Sequence, residues 1–291
     1  MSSSLSKKEA YKKYEFKKLC FLLGCKQKDI NNILTSINTN YSTWTENKLD
    51  KNGNPKTYLD GTIKTRTFRN PSKILKEIQK RIKKNILDKI PLPECVHGGI
   101  KKRSNITNAK AHQGNKYIFE TDLQEFYPNI NMTSVYKMFM GLNFSSHISH
   151  WLTTLTTIDN ELPQGSPTSQ AIANLVFVPT DLKLLALCKK NLIVYTRYVD
   201  DLTFSSQKDF KSLTPEILSI VTNDSFKISR RKTNYGSYRS VTGIEVFLNK
   251  IDAPIKIIEK SKEETKSDNI NKPYTNYLNN IRKTNRKKRG S

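Results

Sequence analysis

The 291-residue chain has little acid. Asp and Glu number 26 against 50 Lys and Arg, a formal net charge of +24 at pH 7. Such an excess repels itself in a folded protein, so a polyanionic partner is its natural counterpart. The plainer alternative is a generically basic surface. Cysteine is also scarce. Cys20, Cys25, Cys95 and Cys188 form no C-x-x-C pair and no Cys/His cluster. That argues against a zinc site or a disulfide framework and fits reduced thiols in a cytoplasmic protein. No apolar run reads as long enough to span a bilayer, so no membrane partner is expected. The first residues, Met1-Ser2-Ser3-Ser4 and a Lys-rich stretch, lack the apolar centre of a signal peptide. There is no internal repeat and no Gly/Ser linker.

The positive charge is unevenly placed. Residues 60–110 hold 14 basic and 4 acidic side chains, net +10, and residues 249–291 hold 12 and 5, net +7. Two basic regions flank a more neutral middle, as expected of a protein that grips a duplex from two sides.

Hydrophobic spacing places the elements coarsely. Residues 7–37 read as helix interrupted at Gly24, and residues 38–62 as strands or loops with tight turns. Ile74, Leu75, Ile78, Ile82, Ile86 and Leu87 form an apolar stripe over residues 72–90, with Lys and Arg opposite and Pro91 as the stop. Residues 117–122 read as a strand ending on a carboxylate. Residues 134–140 and 166–187 read as helices, the second with Pro167 in its first turn. Residues 192–206 read as a hairpin centred on two Asp, and residues 240–249 and 253–258 as strands. Mixed helices and short antiparallel strands imply an α+β architecture.

The sharpest chemical signal is Tyr198-Val199-Asp200-Asp201, between apolar strand-like runs. Adjacent carboxylates are costly to desolvate unless a cation offsets them. Alone, an Asp pair is more often a solvated turn. A second carboxylate changes the balance: Asp122 ends a strand in Phe119-Glu120-Thr121-Asp122 and is followed by Phe126-Tyr127. Phosphoryl transfer by a two-metal route needs carboxylates that bridge two Mg²⁺ ions about 3.5–4 Å apart. Asp122 with Asp200 and Asp201 is a suitable set.

Together with Leu162-Pro163-Gln164-Gly165-Ser166-Pro167-Thr168-Ser169, these segments resemble motifs A, B and C of the reverse transcriptase palm, in the family's order. The resemblance implies a right-hand polymerase with fingers, a palm of antiparallel sheet and helices, and a reduced thumb. The expected division is an N-terminal helical region (1–50), fingers and palm (51–248), and a short basic thumb or RNA-binding tail (249–291) that includes Arg282-Lys283-Thr284-Asn285-Arg286-Lys287-Lys288-Arg289. By position, Asp122, Asp200 and Asp201 would ligate Mg²⁺. Tyr127 would be the steric gate that excludes a 2′-hydroxyl, with a core aromatic as its plainer reading. Gln164 and Gly165 would lie near nucleotide and template. Lys232, in Arg230-Arg231-Lys232, would be a general acid for pyrophosphate, or a solvated basic turn. Lys64 and Arg66 would clamp the triphosphate, or be exposed strand residues.

Two further motifs narrow the resemblance. Asn108-Ala109-Lys110-Ala111-His112 matches the N-A-x-x-H signature of retron reverse transcriptases, and Val241-Thr242-Gly243 matches their V-T-G signature. Each alone could be a helix cap or a strand leaving a turn. Retron membership implies dNTPs as substrates and a structured noncoding RNA as template and 2′-hydroxyl primer. It also implies branched msDNA as product, a separate effector protein and anti-phage defence. Asn108, His112, Val241, Thr242 and Gly243 would help position the RNA and its priming nucleotide. The rivals are a group II intron-like enzyme, which would carry maturase and endonuclease regions, an abortive-infection enzyme, and a non-catalytic RNA-binding scaffold, which would not need the intact carboxylates.

Overall fold

The computed structural model describes residues 2–50, 52–58, 60–237, 240–266 and 270–285. They form two units, Met1–Pro91 with Glu125–Val176 and Leu92–Gln124 with Phe177–Ser291. These units cut across the boundaries expected at residues 50 and 248.

In the first unit, α1 (Ser2–Leu23) and α2 (Gln27–Thr35) part at Gly24, whose φ of 62° suits glycine. The antiparallel strands β1 (Tyr41–Asn47) and β2 (Thr65–Pro71) place Trp44 opposite Phe68. Between them the ladder ends where the Lys48 amide donates to the Lys64 carbonyl, and the Leu49–Pro55 and Thr57–Ile63 bridges close two separate small turns. Ser72 caps α3 (Lys73–Asn85), where Leu75, Ile78 and Ile82 point inward while Lys73, Lys80 and Lys84 stay exposed. Asn131 and Ser145 cap α5 (Met132–Gly141) and α6 (Ser146–Thr156). Leu19 and Leu23 of α1 and Leu152 and Leu155 of α6 are fully buried, and Phe16 of α1 meets Trp151 of α6 edge-on at 5.1 Å.

The second unit contains α4 (Asn105–Ala111) and the strands β3 (Tyr117–Asp122), β4 (Val194–Tyr198), β5 (Asp201–Ser206) and β6 (Asn234–Gly236). They form an antiparallel sheet in the order β4-β5-β3-β6. Phe119, Tyr195 and Phe204 are buried on it, and Phe177 meets Phe226 at 4.6 Å near α8 (Thr214–Asn223). Each such buried aromatic contributes about 1.5–3 kcal/mol. A smaller sheet, β7 (Ser240–Val241), β8 (Ile244–Val246) and β9 (Ile251–Asp252), carries α9 (Ile255–Lys266) and α10 (Pro273–Lys283). Leu278 and Ile281 of α10 share a core with Val241, Ile244, Val246, Ile251 and Ala109.

Several sequence expectations need correction. Residues 253–258 are not a strand: Ile255 starts α9, and the Ile257 and Ile258 amides donate to the Pro254 carbonyl at 2.9 and 3.2 Å, which turns the chain into a helix. Pro167 lies ahead of α7 (Ser169–Lys190), and Pro179 sits inside that helix instead. Contrary to the expectation above, α7 is long and apolar enough to cross a membrane by length and composition. Half of it is buried in the protein, and its Asp181 is completely buried and paired with Arg197. Those are features of a core helix. Of the C-terminal region, read above as a short thumb or a tail, residues 249–266 and 270–285 are described and carry α9 and α10. Glu264 accepts the Tyr274 and Thr275 amides at 3.1 and 2.8 Å, and Arg282 donates to both oxygens of Asp252. Asn285 bonds the Ile251 amide and carbonyl at 3.0 and 2.7 Å, completing the free edge of β9. Arg286, Lys287, Lys288 and Arg289 of the expected tail lie outside the described residues.

Candidate active site

The register of the four-stranded sheet brings the carboxylates together. Asp122 ends β3 directly opposite Asp201, the first residue of β5, and Tyr198 at the end of β4 pairs with Asp201 across the hairpin. Only Val199 and Asp200 remain to make the turn. Val199 has a φ of 61°, a strained conformation for a β-branched residue. The Leu123 amide donates to the Asp200 carbonyl at 2.9 Å and so ties the turn to the end of β3. Carboxylate oxygens of Asp122, Asp200 and Asp201 all lie within 4.8 Å of one another, the only such group among the described residues.

The electrostatics suit a cation. Burial, then the neighbouring Asp200 and Asp122, push the Asp201 carboxyl up to about 7. Glu120, two residues before Asp122 and therefore on the same face of β3, is also pushed up to about 7, by burial and then by Asp201. Glu120 was not singled out from sequence, although the i, i+2 spacing on a strand was the available signal. An all-carboxylate donor set with unbalanced negative charge fits a hard divalent ion with oxygen preference, and offers no thiol or imidazole to a softer one.

Lys232 belongs to this cluster. The Ser229 amide donates to the Asp122 carbonyl at 2.8 Å and Thr121 meets Thr233 through their hydroxyls, so residues 228–234 run along the end of β3. The Lys232 ammonium consequently reaches Asp122 at 2.6 Å. Burial works against its charge, but the Asp122 bond and the neighbouring Asp200 and Asp201 outweigh that and raise it above the usual lysine value. Arg230 and Arg231 are exposed.

The first unit gathers a different set. Lys64 lies over the Tyr58 ring at 4.8 Å and the exposed Arg66 over Phe68 at 6.0 Å, while Trp44 stacks on Phe68 at 5.5 Å. The Arg69 amide donates to the Gln164 carbonyl at 3.1 Å, and its guanidinium pairs with Asp159 and Glu161. β2 is thereby fastened to the loop holding Gln164 and Gly165. Gly165 has a φ of 103°, open to glycine and strained for other residues. Buried Gln79 bonds Tyr41, the Leu155 carbonyl and Ser166, which braces the same loop. Sequence reasoning missed Arg69 and Gln79, because nothing local marks a buried amide or a shared guanidinium. Tyr127 is half-buried and packs on Phe126 with centroids 5.8 Å apart.

The two signature motifs meet each other. Thr242 and Gly243, with φ of 45° and 77°, make the two-residue turn between β7 and β8, the primed type that needs positive φ at both places. Asn105 of α4 bonds the Thr242 carbonyl and the Tyr277 hydroxyl of α10, and Asn108 donates to the Thr242 hydroxyl at 3.4 Å. Asn108 and His112 are completely buried, so neither side chain reaches an RNA. His112 bridges the Ser205 and Thr196 hydroxyls at 2.7 Å each, and burial pushes its pKa down to about 3, so the ring stays neutral. Any effect of these two residues on priming must pass through the strands and turn they tie.

Comparison with known proteins agrees with this geometry. The family model for reverse transcriptase (RNA-dependent DNA polymerase) matches residues 50–270. The retron Se72 reverse transcriptase of Salmonella heidelberg is 34% identical over 195 residues, 67% of this chain and 48% of that protein. The retron Ec86 reverse transcriptase of Escherichia coli is 34% identical over 191 residues, 64% of this chain and 60% of that protein. The retron Mx162 enzyme of Myxococcus xanthus is 29% identical over 249 residues, 74% and 49%. The chain thus spans about half to three-fifths of the length of these relatives. With the carboxylates at the strand ends where polymerase chemistry needs them, the chain belongs to the reverse transcriptase (RNA-dependent DNA polymerase) family.

Proposed function

We propose that the protein is the RNA-directed DNA polymerase of a retron, which copies part of a structured noncoding RNA into branched msDNA in the cytoplasm. The observation that carries this reading is the Asp122, Asp200 and Asp201 cluster, with carboxylate oxygens within 4.8 Å of one another. These three residues would hold Mg²⁺, which when bound activates the attacking hydroxyl and neutralises the triphosphate. Lys232 keeps its proton at neutral pH and is suited to deliver it to the departing pyrophosphate. By family resemblance, Lys64 and Arg66 clamp the dNTP triphosphate, Gln164 and Gly165 border nucleotide and template, and Tyr127 excludes the 2′-hydroxyl. The similarity to retron enzymes supports a 2′-hydroxyl primer on the same RNA, a separate effector protein and a role in anti-phage defence.

The test is primer extension together with RNA binding. Asp200→Asn is expected to abolish DNA synthesis and leave RNA affinity within about threefold, because one lost carboxylate removes metal binding but few phosphate contacts. Full polymerase activity in that variant would overturn the assignment.

A further inference from the structure

The catalytic turn rests on a buried ionic assembly that polymerase chemistry does not itself require. Arg197, the residue before Tyr198, is completely buried, as is Asp181 of α7. Its Nε and Nη2 donate to the two Asp181 oxygens at 3.0 and 2.7 Å, and Tyr195 donates to Asp181 at 2.8 Å. The guanidinium lies 4.8 Å from the Phe177 ring centroid. Its Nη1 donates to the carbonyl of Val199 at 3.1 Å, the residue held at a φ of 61°.

A second contact reaches the same residue from another segment. The Arg197 amide and carbonyl bond Cys95 and His97 at 2.7 and 2.8 Å, which lays residues 95–98 along β4. Gly98 then comes so close that a Cβ on it would stand 2.4 Å from the Val199 nitrogen and 2.7 Å from its Cγ2. The strained residue is thus held at its carbonyl by a fixed planar donor and faced at its amide by the bare backbone of Gly98.

We propose that Arg197, Asp181 and Gly98 are positioning residues that lock Val199 in the left-handed conformation and so set the spacing of Asp200 and Asp201 against Asp122. A fully buried ion pair gains little net stability over apolar side chains of similar size, so stability alone is a weak reason to find one under this turn. Strain of this kind persists only where the surroundings over-determine it. Asp181 fixes the guanidinium plane, and the guanidinium fixes the peptide that precedes Asp200. The inference rests on reading the three carboxylates as the metal-holding set.

The experiment uses the full chain without nucleic acid. Removing one member of the pair strands a buried charge and unfolds proteins readily, so both are replaced, in Arg197→Met with Asp181→Leu. Three quantities are measured: the melting temperature, Mn²⁺ affinity by electron paramagnetic resonance, and hydrogen exchange at the Leu123 amide, which reports its bond to the Asp200 carbonyl. The double variant is expected to stay folded but melt below the parent, because the Tyr195 hydroxyl and the Val199 carbonyl lose their partners, to bind Mn²⁺ about 10–100-fold more weakly and to exchange Leu123 about tenfold faster. Adding Val199→Gly should restore both readouts to within about threefold, because glycine holds a positive φ without support. Gly98→Ala, with the ion pair intact, should reproduce the loss and supplies the test should the double variant fail to fold. Parent-like exchange and Mn²⁺ affinity in the double variant, or in Gly98→Ala, would overturn the proposal, as would a loss that Val199→Gly does not repair. If the parent itself binds no Mn²⁺, the metal reading falls, and Leu123 exchange still decides whether the lock exists.

Discussion

The two hairpins that carry the proposed function are built in opposite ways. The β4–β5 hairpin turns in two residues and is buried along almost all of β5. The β1–β2 hairpin turns over residues 48–64, and β1 is exposed at six of its seven positions. The first carries Asp200 and Asp201, and the second carries Arg66 and the proposed triphosphate contacts. Metal-assisted transfer fails when ligands drift by about 1 Å, so its residues sit where packing over-determines them. A phosphate can be gripped by long cationic side chains from many geometries, so an open ribbon suffices. Rigidity here follows the tolerance of the chemistry.

That contrast can be broken most severely at the rigid hairpin. Asp122→Asn is expected to reduce kcat at least about 1000-fold with RNA affinity retained, since several kcal/mol of charge stabilisation leave with the metal. Single-turnover extension measures it, and a loss under tenfold would place the chemistry elsewhere. At the open hairpin, Arg66→Ala should instead raise the KM for dNTP about 10–100-fold with a smaller change in kcat, as expected for one charge-assisted bond of about 1.5–3 kcal/mol. A kcat collapse equal to that of Asp122→Asn would erase the distinction drawn between the hairpins.

The pH dependence separates them further. Asp201 and Glu120 titrate near 7 in the folded protein, above their unfolded values, so the protonated forms are favoured by folding and protons compete with a cation. Affinity for Mn²⁺ should therefore rise between pH 6 and about 7.5, by up to about tenfold per unit for each proton displaced, and level off above. Without metal, the stability from these two groups is present at low pH and lost as pH rises toward 7. The buried neutral His112 has the opposite sign, losing stability as pH falls below about 6.5. Half-buried His97, pushed down to about 4, has the same sign as His112, and unfolded histidine is half protonated at about pH 6.5, so both histidines still oppose the carboxylates between about 6.5 and 7.5. The carboxylate contribution is the part of the pH slope of the melting temperature that Asp201→Asn with Glu120→Gln removes, and a parent-like slope in that variant would contradict their assignment. The smallest effect is expected from deleting residues 286–291. Losing four cations should weaken binding of every RNA a few-fold and flatten its salt dependence, with dNTP affinity unaffected.

The catalytic strands were legible because their signals are local. Apolar runs ending on Asp122 and on Asp200-Asp201 announce strand ends, and the antiparallel register of β3 and β5 does the rest. Gly24 and the stripe of α3 were readable for the same reason. The roles of Asn108 and His112 were not, because a motif states which residues recur and not whether they face inward. Burial of His112 between Ser205 and Thr196 depends on partners 93 and 84 residues away. Arg197 and Asp181, 16 residues apart, look in sequence like an ordinary strand cation and a helix polar residue. The α9–α10 pair was read as strand and tail, since its few apolar residues gain meaning only against the small sheet.

The joint among α4, the Thr242-Gly243 turn and α10 has a consequence for biosynthesis. Asn105 and Tyr277 are 172 residues apart in sequence yet share a hydrogen bond, and Ile281 closes the same buried cluster as Ala109. Contacts this distant are among the last a chain can make. While the ribosome is still adding α10, this cluster is open on one flank, and the nascent chain holds Asp122, Asp200 and Asp201 before the cluster can close. Translation thereby sets an order: this cluster closes only after residue 281 has been made.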